Sequence, residues 1–144
     1  MKKKIGNRNI KIFLKTNLFA SNFIDFASEE HRGLYRKTCK PLYNLALQGN
    51  WKEASHVLKD YPELLTAAIT KGWKTILHVA AGTHHVHFVQ ELVRLMDKDE
   101  LALQDYNRNT ALFSAATTGN LQIAEILVKK NESLPTIRGK ESVS

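Results

Sequence analysis

The chain has 144 residues, of which 43% are hydrophobic and 24% are charged; this composition suits one globular domain and excludes a disordered low-complexity polymer. The formal net charge of +7 arises in residues 1–40, which hold ten Lys and Arg against three Asp and Glu, whereas residues 41–144 hold eleven of each. Since nucleic-acid-binding domains usually carry a basic patch on their folded part, this balance argues against a nucleic acid partner. The single cysteine cannot form an internal disulfide and fits a reducing, cytoplasmic compartment.

The extension over residues 1–40 is basic and partly apolar. It opens with Met1-Lys2-Lys3-Lys4 and then places four phenylalanines among aliphatic residues between positions 10 and 27. Two interpretations stay open: an N-terminal cap over the rest of the fold, or, over residues 1–30, a peripheral membrane contact or organelle-targeting peptide. Charged residues interrupt the apolar stretch, so neither a secretory signal peptide nor a transmembrane helix is predicted.

A repeat with a period of 35 residues begins at residue 41. Leu42, Leu77 and Leu112 are 35 residues apart, and the segments around them align as PLYNLA, ILHVAA and ALFSAA. Self-similarity at a fixed period of this length is the signature of a solenoid. The sequence therefore predicts three repeats, over residues 41–74, 75–109 and 110–134.

Each copy has the pattern of two short helices joined by a turn. The first helix begins after Thr75 in the second copy and after Thr110 in the third, where a hydroxyl can cap the free N–H groups of the first turn. Gly49 and Gly119 are expected to end this helix in the left-handed conformation. His84 lies in the same column, where a left-handed histidine would cost about 1 kcal/mol.

The second helix of each copy begins after a polar residue and carries an apolar face. Asn50, with Glu53 three residues later, has the spacing of a capping box, and Asn120 occupies the equivalent position. Apolar residues then recur at helical spacing. They form the predicted core face, which consists of Ala54, Val57 and Leu58; Val89, Leu92 and Val93; and Ala124, Leu127 and Val128.

These motifs resemble the ankyrin repeat. The second copy has Thr75-Ile76-Leu77-His78 and Ala80-Ala81 at the positions of the family's Thr-Pro-Leu-His and Ala-Ala motifs, and Gly119 lies at the turn of the third copy. The resemblance implies an all-α ankyrin-repeat solenoid of three helix-turn-helix repeats with an N-terminal extension. It also implies a non-catalytic protein–protein interaction scaffold that needs no cofactor.

The spacers between the repeats support a narrower resemblance. Residues 60–65, 72–81 and 134–139 look like segments of the plant ankyrin proteins of the accelerated-cell-death and increased-salt-tolerance type. Those proteins carry a C-terminal membrane domain, which this sequence lacks. The resemblance implies a role in plant defence or stress signalling, in the cytoplasm or at the cytoplasmic face of the plasma membrane.

In ankyrin stacks the turns between repeats project as fingers beside a concave palm, which the first helices form. The resemblance identifies a set of partner-binding candidates: Lys71, Trp73 and Lys74 in one finger; Tyr106, Asn107, Arg108 and Asn109 in the next; and Gln48, Thr83, Thr117 and Thr118 on the palm. Trp, Tyr and Arg are enriched in interface hot spots, which favours another protein as the partner. The alternative for Trp73 is that its ring covers the helices of its own repeat. Trp73 and Arg108 also occupy a turn position that is usually glycine in the family.

A cluster of histidines suggests a metal site at first sight. His84, His85 and His87 lie close together with His78 nearby, and three imidazoles can bind zinc. However, His78 and His85 fall in columns where ankyrin repeats commonly have histidine, so we expect them to make local hydrogen bonds. The sequence also lacks the nucleophile-elbow, phosphate-loop and zinc-protease motifs. No metal site, cofactor or enzymatic activity is predicted.

The C-terminal edge of the stack is expected to be unfinished. Residues 135–144 have the pattern of a truncated lead-in to a further repeat and are predicted to be disordered. Without a following repeat, part of the last second helix should face solvent, namely some of Ile123, Ile126, Leu127 and Val128. Because about three repeats are the minimum for a stable stack, the uncapped edge predicts a fragment, a truncated family member or a protein that self-associates through this edge.

Overall fold

The computed structural model describes Gly33 and residues 35–140, and this part of the chain is built from helices and helical turns. Six α-helices form three helix–turn–helix pairs: α1 Lys40–Gln48 with α2 Trp51–Asp60, α3 Ile76–Ala81 with α4 Val86–Arg94, and α5 Ala111–Thr117 with α6 Leu121–Lys130. A π-helical turn, Tyr35–Cys39, precedes α1, and three 3-10 turns, Pro62–Leu65, Glu100–Ala102 and Leu134–Thr136, follow the second helices. The predicted all-α repeat solenoid is confirmed.

The three pairs stack because the repeated apolar columns pack on one another. First helices contact first helices (α1 with α3, α3 with α5), and second helices contact second helices (α2 with α4, α4 with α6). Leu42 and Leu77 lie in this core, and the alanines Ala46 and Ala81 are completely buried. Since alanine is small, neighbouring first helices approach closely at these positions. The result is one continuous core shared by all three repeats.

The ends of the first helices agree with the glycine prediction but not with the histidine prediction. Gly49 and Gly119 both have φ 70°, as expected. His84 is not left-handed, so its predicted strain is wrong. Instead, α3 ends at Ala81 with Gly82 at φ −84°, and the Thr83 hydroxyl donates to the Ala80 carbonyl at 2.7 Å and accepts from the His85 N–H at 3.2 Å. These bonds close the turn without a left-handed residue.

Side-chain caps begin most of the helices that the sequence singled out. Asn50 Oδ1 accepts from the Glu53 N–H at 3.2 Å, and Asn120 Oδ1 accepts from the Ile123 N–H at 3.1 Å. Thr75 caps α3 in a reciprocal capping box. Thr110 precedes α5 but makes no capping bond, so that prediction is wrong. The third copy has no ring nitrogen to complete a box, because phenylalanine stands where the second copy has histidine.

The C-terminal edge of the stack is more covered than expected. Ile123 and Leu127 are completely buried, so exposure is limited to Ile126 and Val128, which are half-buried. The 3-10 turn Leu134–Thr136 packs against α6, and Leu134 is buried there. The edge is therefore capped in part by the chain's own spacer.

Residues 135–140 continue from the last 3-10 turn along the finger side of the stack. Leu134 anchors this segment in the core, and the Lys140 N–H donates to the Asn107 carbonyl at 2.7 Å. Residues 141–144, and the interpretations offered for residues 1–30, lie outside the described residues. No helix within the described part is long and apolar enough to cross a membrane.

Candidate functional site

The two turns between repeats have the same strained geometry. In the first turn the Trp73 N–H donates to the Thr70 carbonyl at 3.1 Å, and in the second the Arg108 N–H donates to the Asp105 carbonyl at 2.9 Å. Trp73 (φ 59°) and Arg108 (φ 61°) are left-handed at equivalent positions. A non-glycine residue in this conformation costs about 1 kcal/mol. Both turns therefore hold a large side chain where glycine would be the unstrained choice.

The tips of successive turns are connected to each other. The rings of Trp73 and Tyr106 meet edge to face, with centroids 4.9 Å apart and planes at 75°, and the Tyr106 N–H donates to the Gly72 carbonyl at 2.9 Å. The Lys140 ammonium lies 5.4 Å from the centre of the Tyr106 ring, within the range of a cation–π contact. We call residues 71–74, 106–109 and 138–140 the finger edge.

A buried carboxylate fixes the shape of the second turn. Asp105 is only 7% exposed, and its Oδ1 accepts from the Asn107 N–H at 2.9 Å and from the Asn109 N–H at 3.0 Å. The Oδ1 atom of Asp105 therefore stabilises the turn itself.

His78 connects the start of α3 to the second turn. Its Nδ1 accepts from the Thr75 N–H at 3.2 Å, and its Nε2 is 2.8 Å from the Asn109 carbonyl. Burial lowers the pKa of His78 below its ordinary value of 6.5, so the ring is neutral at pH 7 and its Nε2–H donates to Asn109. The predicted local hydrogen bond of His78 is thus confirmed by its contact with Thr75, and its second bond reaches the turn between the second and third repeats.

The other histidines of the cluster also make scaffold contacts. The His85 Nε2–H donates to the Leu47 carbonyl at 3.0 Å, which joins the second repeat to the first. His84 Nδ1 lies 3.5 Å from the Asn120 side-chain amide, which joins it to the third. His87 is exposed. No cluster of three or more metal-ligating side chains occurs within residues 35–140.

The one cysteine is remote from this surface. Cys39 is buried before α1, and burial raises the pKa of its thiol to about 11. Because the thiolate is the reactive form, Cys39 is chemically inert at neutral pH.

A concave groove of about 470 Å³ lies beside the finger edge. Five of the predicted residues line it: Lys74, Asn107, Asn109, Thr117 and Thr118. Lys71, Trp73, Tyr106 and Arg108 are on the finger edge outside the groove, while Gln48 and Thr83 lie outside both.

Three apolar residues of the groove were missed by the sequence analysis. Tyr43, Leu47 and Phe113 line its walls, and Leu47 and Phe113 are 46% and 51% exposed. Tyr43 and Phe113 occupy the column of His78. His78 uses this position for buried hydrogen bonds, which a ring without nitrogen atoms cannot replace. An aromatic residue in the same column of another copy is therefore the sequence signal that could have identified Tyr43 and Phe113.

The fold and this site define a helical-repeat solenoid with a projecting edge and a concave face. A family model described as "Ankyrin repeats (3 copies)" matches residues 27–137, and the chain belongs to the ankyrin repeat family. Ankyrin repeats are typical protein–protein interaction modules and are generally not enzymes. No curated protein and no solved structure shows a significant match to the chain, so the resemblance to the plant proteins stays a prediction.

Proposed function

We propose that the chain is a non-catalytic scaffold that binds another protein through the finger edge and the concave groove. The observation that carries the proposal is the contact between Trp73 and Tyr106 on strained turns, directly beside a groove with a half-exposed phenylalanine. Strained backbone persists where the surrounding structure compensates for it, and it clusters at functional sites.

The exposed apolar groups of this surface are the expected source of affinity. Full burial of a side chain such as Phe113 or Leu47 contributes about 1.5–3 kcal/mol, and each is already half-covered in the free chain. Trp73, Tyr106 and Arg108 add the residue types that dominate measured hot spots. The groove holds these groups in fixed relative positions, because all three repeats contribute to its walls.

The test compares the proteins that cross-link to the full chain with those that cross-link to a triple variant and to a double variant. The finger variant is Trp73→Asn, Tyr106→Ala, Arg108→Asn, since asparagine tolerates the left-handed conformation. The control is Leu95→Ala, Leu121→Ala, which removes exposed apolar groups that lie away from this surface. We expect the finger variant alone to lose partners. Identical partner lists from all three proteins would show that a different surface binds.

The likeness of the spacers to plant accelerated-cell-death proteins supports a finer form of the proposal. It makes the partner a component of defence or stress signalling at the cytoplasmic face of the plasma membrane. If so, partners that depend on the finger edge should be recovered from plant plasma-membrane extracts, and their recovery only from other extracts would contradict it.

A second function, peripheral membrane contact, is supported by the charge of residues 1–40. Ten of the 21 Lys and Arg lie there against three acidic residues, and a basic segment with aromatic residues suits an anionic surface. Vesicles with anionic lipid should co-sediment the full chain but not a variant with Lys2, Lys3, Lys4 and Arg8 changed to Gln. Equal sedimentation of both would remove this alternative.

Self-association through the C-terminal edge is also proposed. An open groove of about 300 Å³ there is lined by apolar residues, among them Leu112, Phe113, Ala116 and Ile137. In the second repeat the equivalent residues Leu77 and Ala81 are buried by α5. A second copy of the chain can cover the same columns in the third repeat.

A further inference from the structure

We infer that the partner segment bound at the finger edge is an extended acidic peptide. The inference rests on the proposed function and concerns the chemistry of the partner. Charge is unevenly distributed within the balanced, folded part of the chain. Each of the three segments of the finger edge presents an exposed cation: Lys74 in the first turn, Arg108 in the second turn, and Arg138 and Lys140 in the segment 138–140.

Negative charge is almost absent from this edge. Asp105 is the one carboxylate on these turns within the described residues, and it is buried with Oδ1 bonded to two backbone N–H groups. The next carboxylate along the chain, Glu141, lies outside the described residues. The other described carboxylates lie on the second helices and on the spacers that follow them. The folded part of the chain has no large net charge, but its finger edge is basic and the rest of its surface is acidic.

The spacing of the cations suits an extended peptide. Packed helices of neighbouring repeats lie about 8–10 Å apart, so cations on successive turns recur at about that distance. An extended peptide advances about 3.3 Å per residue. Carboxylates about three residues apart would thus meet successive turns, and an apolar residue between them could enter the groove beside Phe113.

The surroundings of the cations favour a peptide over a nucleic acid. Each turn offers one or two cations separated by Trp73 and Tyr106, whereas binding to a duplex backbone depends on many phosphate contacts. The groove beside them is lined by both polar and apolar side chains, and among the apolar ones Leu47 and Phe113 are about half exposed. Exposed apolar groups next to sparse cations match a peptide that alternates acidic and apolar side chains.

The test selects random peptides on the full chain. Peptides of about twelve residues are long enough, at about 3.3 Å per residue, to span three turns. Binding of selected peptides is then measured by fluorescence anisotropy with three variants. The charge variant is Lys74→Gln, Arg108→Asn, Lys140→Gln. A matched control, Lys52→Gln, Lys59→Gln, Lys129→Gln, removes three exposed cations from the second helices, and Phe113→Ala tests the groove.

Support for the inference would be enrichment of Asp and Glu at intervals of about three residues. These peptides should bind the charge variant about tenfold more weakly, because three exposed ion pairs of modest strength are lost. The control variant should bind them like wild type. The affinity for wild type should also fall between about 50 mM and about 300 mM salt, since exposed charges are screened.

The other outcomes overturn it, and they separate it from the proposed function. Acidic peptides that bind both cation variants equally would be held by the basic residues 1–40 instead. Neutral or basic peptides that lose affinity with Phe113→Ala would leave the protein-binding function standing and refute the acidic partner. Failure to select any peptide would refute the inference alone, because the cross-linking comparison tests the proposed function separately. A further outcome is that no acidic peptides are selected, but the chain binds a DNA duplex or anionic vesicles and only the charge variant loses that binding. This result would assign the edge to another class of partner.

Discussion

Two glycines with the same backbone conformation have different surroundings. Gly49 and Gly119 both have φ 70°. A Cβ built on Gly49 would lie 2.4 Å from Cγ of His85, whereas Gly119 has no heavy atom within 4 Å of the equivalent point. The His85 ring cannot move away freely, because it is bonded to the Leu47 carbonyl. The sequence predicted the conformation of both glycines, but the steric demand at Gly49 depends on a contact across repeats that no local pattern contains.

We therefore expect Gly49→Ala to be more destabilising than Gly119→Ala. Gly119→Ala should cost about 1 kcal/mol for the left-handed conformation, and Gly49→Ala should cost a further 1–3 kcal/mol or so from overpacking. Urea unfolding measures both free energies. In a His85→Ala background the additional cost should disappear, as a double-mutant cycle would show. Equal costs for the two glycines in the wild-type background would contradict this reading.

At the scale of single elements, α3 is short and depends on its first turn. The helix has six residues, and its capping box pairs Thr75 with His78 in both directions. The same histidine holds the second finger through Asn109. Because a helix of this length is not stable alone, its order comes from these bonds and from the core. The helix start and the finger geometry are therefore coupled by one neutral imidazole.

This coupling predicts a specific pH dependence. Since burial lowers the pKa of folded His78 below 6.5, the unfolded chain binds a proton more readily than the folded chain. The contribution of neutral His78 to the free energy of unfolding is fully present above pH 6.5. It is lost progressively as the pH falls toward the pKa of His78 in the folded chain. The sign is thus a loss of stability on acidification.

The check is the free energy of unfolding between about pH 8 and about pH 5. His78→Phe, which copies the residue at position 113, should be less stable at pH 8 by about 1–3 kcal/mol because Thr75 and Asn109 lose a bonding partner. It should also show a shallower loss on acidification than wild type. His56→Gln, at an exposed position, serves as the control and should keep the wild-type slope. A slope unchanged in His78→Phe would rule out His78 as the sensor.

Local patterns predicted the elements well where the signal lies within a few residues. Such patterns predicted the caps at Asn50 and Asn120 and the stack of repeats with a period of 35 residues. The predictions for His84 and Thr110 failed because each depends on which neighbour completes a hydrogen bond. Tyr43 and Phe113 share a sequence column with His78, but their position in the groove depends on how the repeats pack into a concave face.

At the scale of the whole molecule, equivalent positions of the three repeats differ in how much of the side chain is exposed. Ala46 and Ala81 are completely buried by the repeats that follow them, whereas Ala116 is exposed at the C-terminal edge. In a solenoid each repeat depends on its neighbours, so the third repeat lacks on one side the interface that the first two have. The spacer around Leu134 covers only part of this side.

We expect this edge to make stability depend on protein concentration. If a second copy covers the groove at the C-terminal edge, the free energy of unfolding should rise by about 1.4 kcal/mol of dimer for each tenfold increase in protein concentration. Ala116→Glu places a carboxylate in the apolar groove, where burial of an unpaired charge is costly. It should remove the concentration dependence while changing the stability of the monomer by about 0.5 kcal/mol or less, as is usual for an exposed position. Gln122→Glu adds the same charge on an exposed position of α6 and should behave like wild type. A wild-type urea midpoint that is independent of concentration would mean that this edge does not bind a second copy.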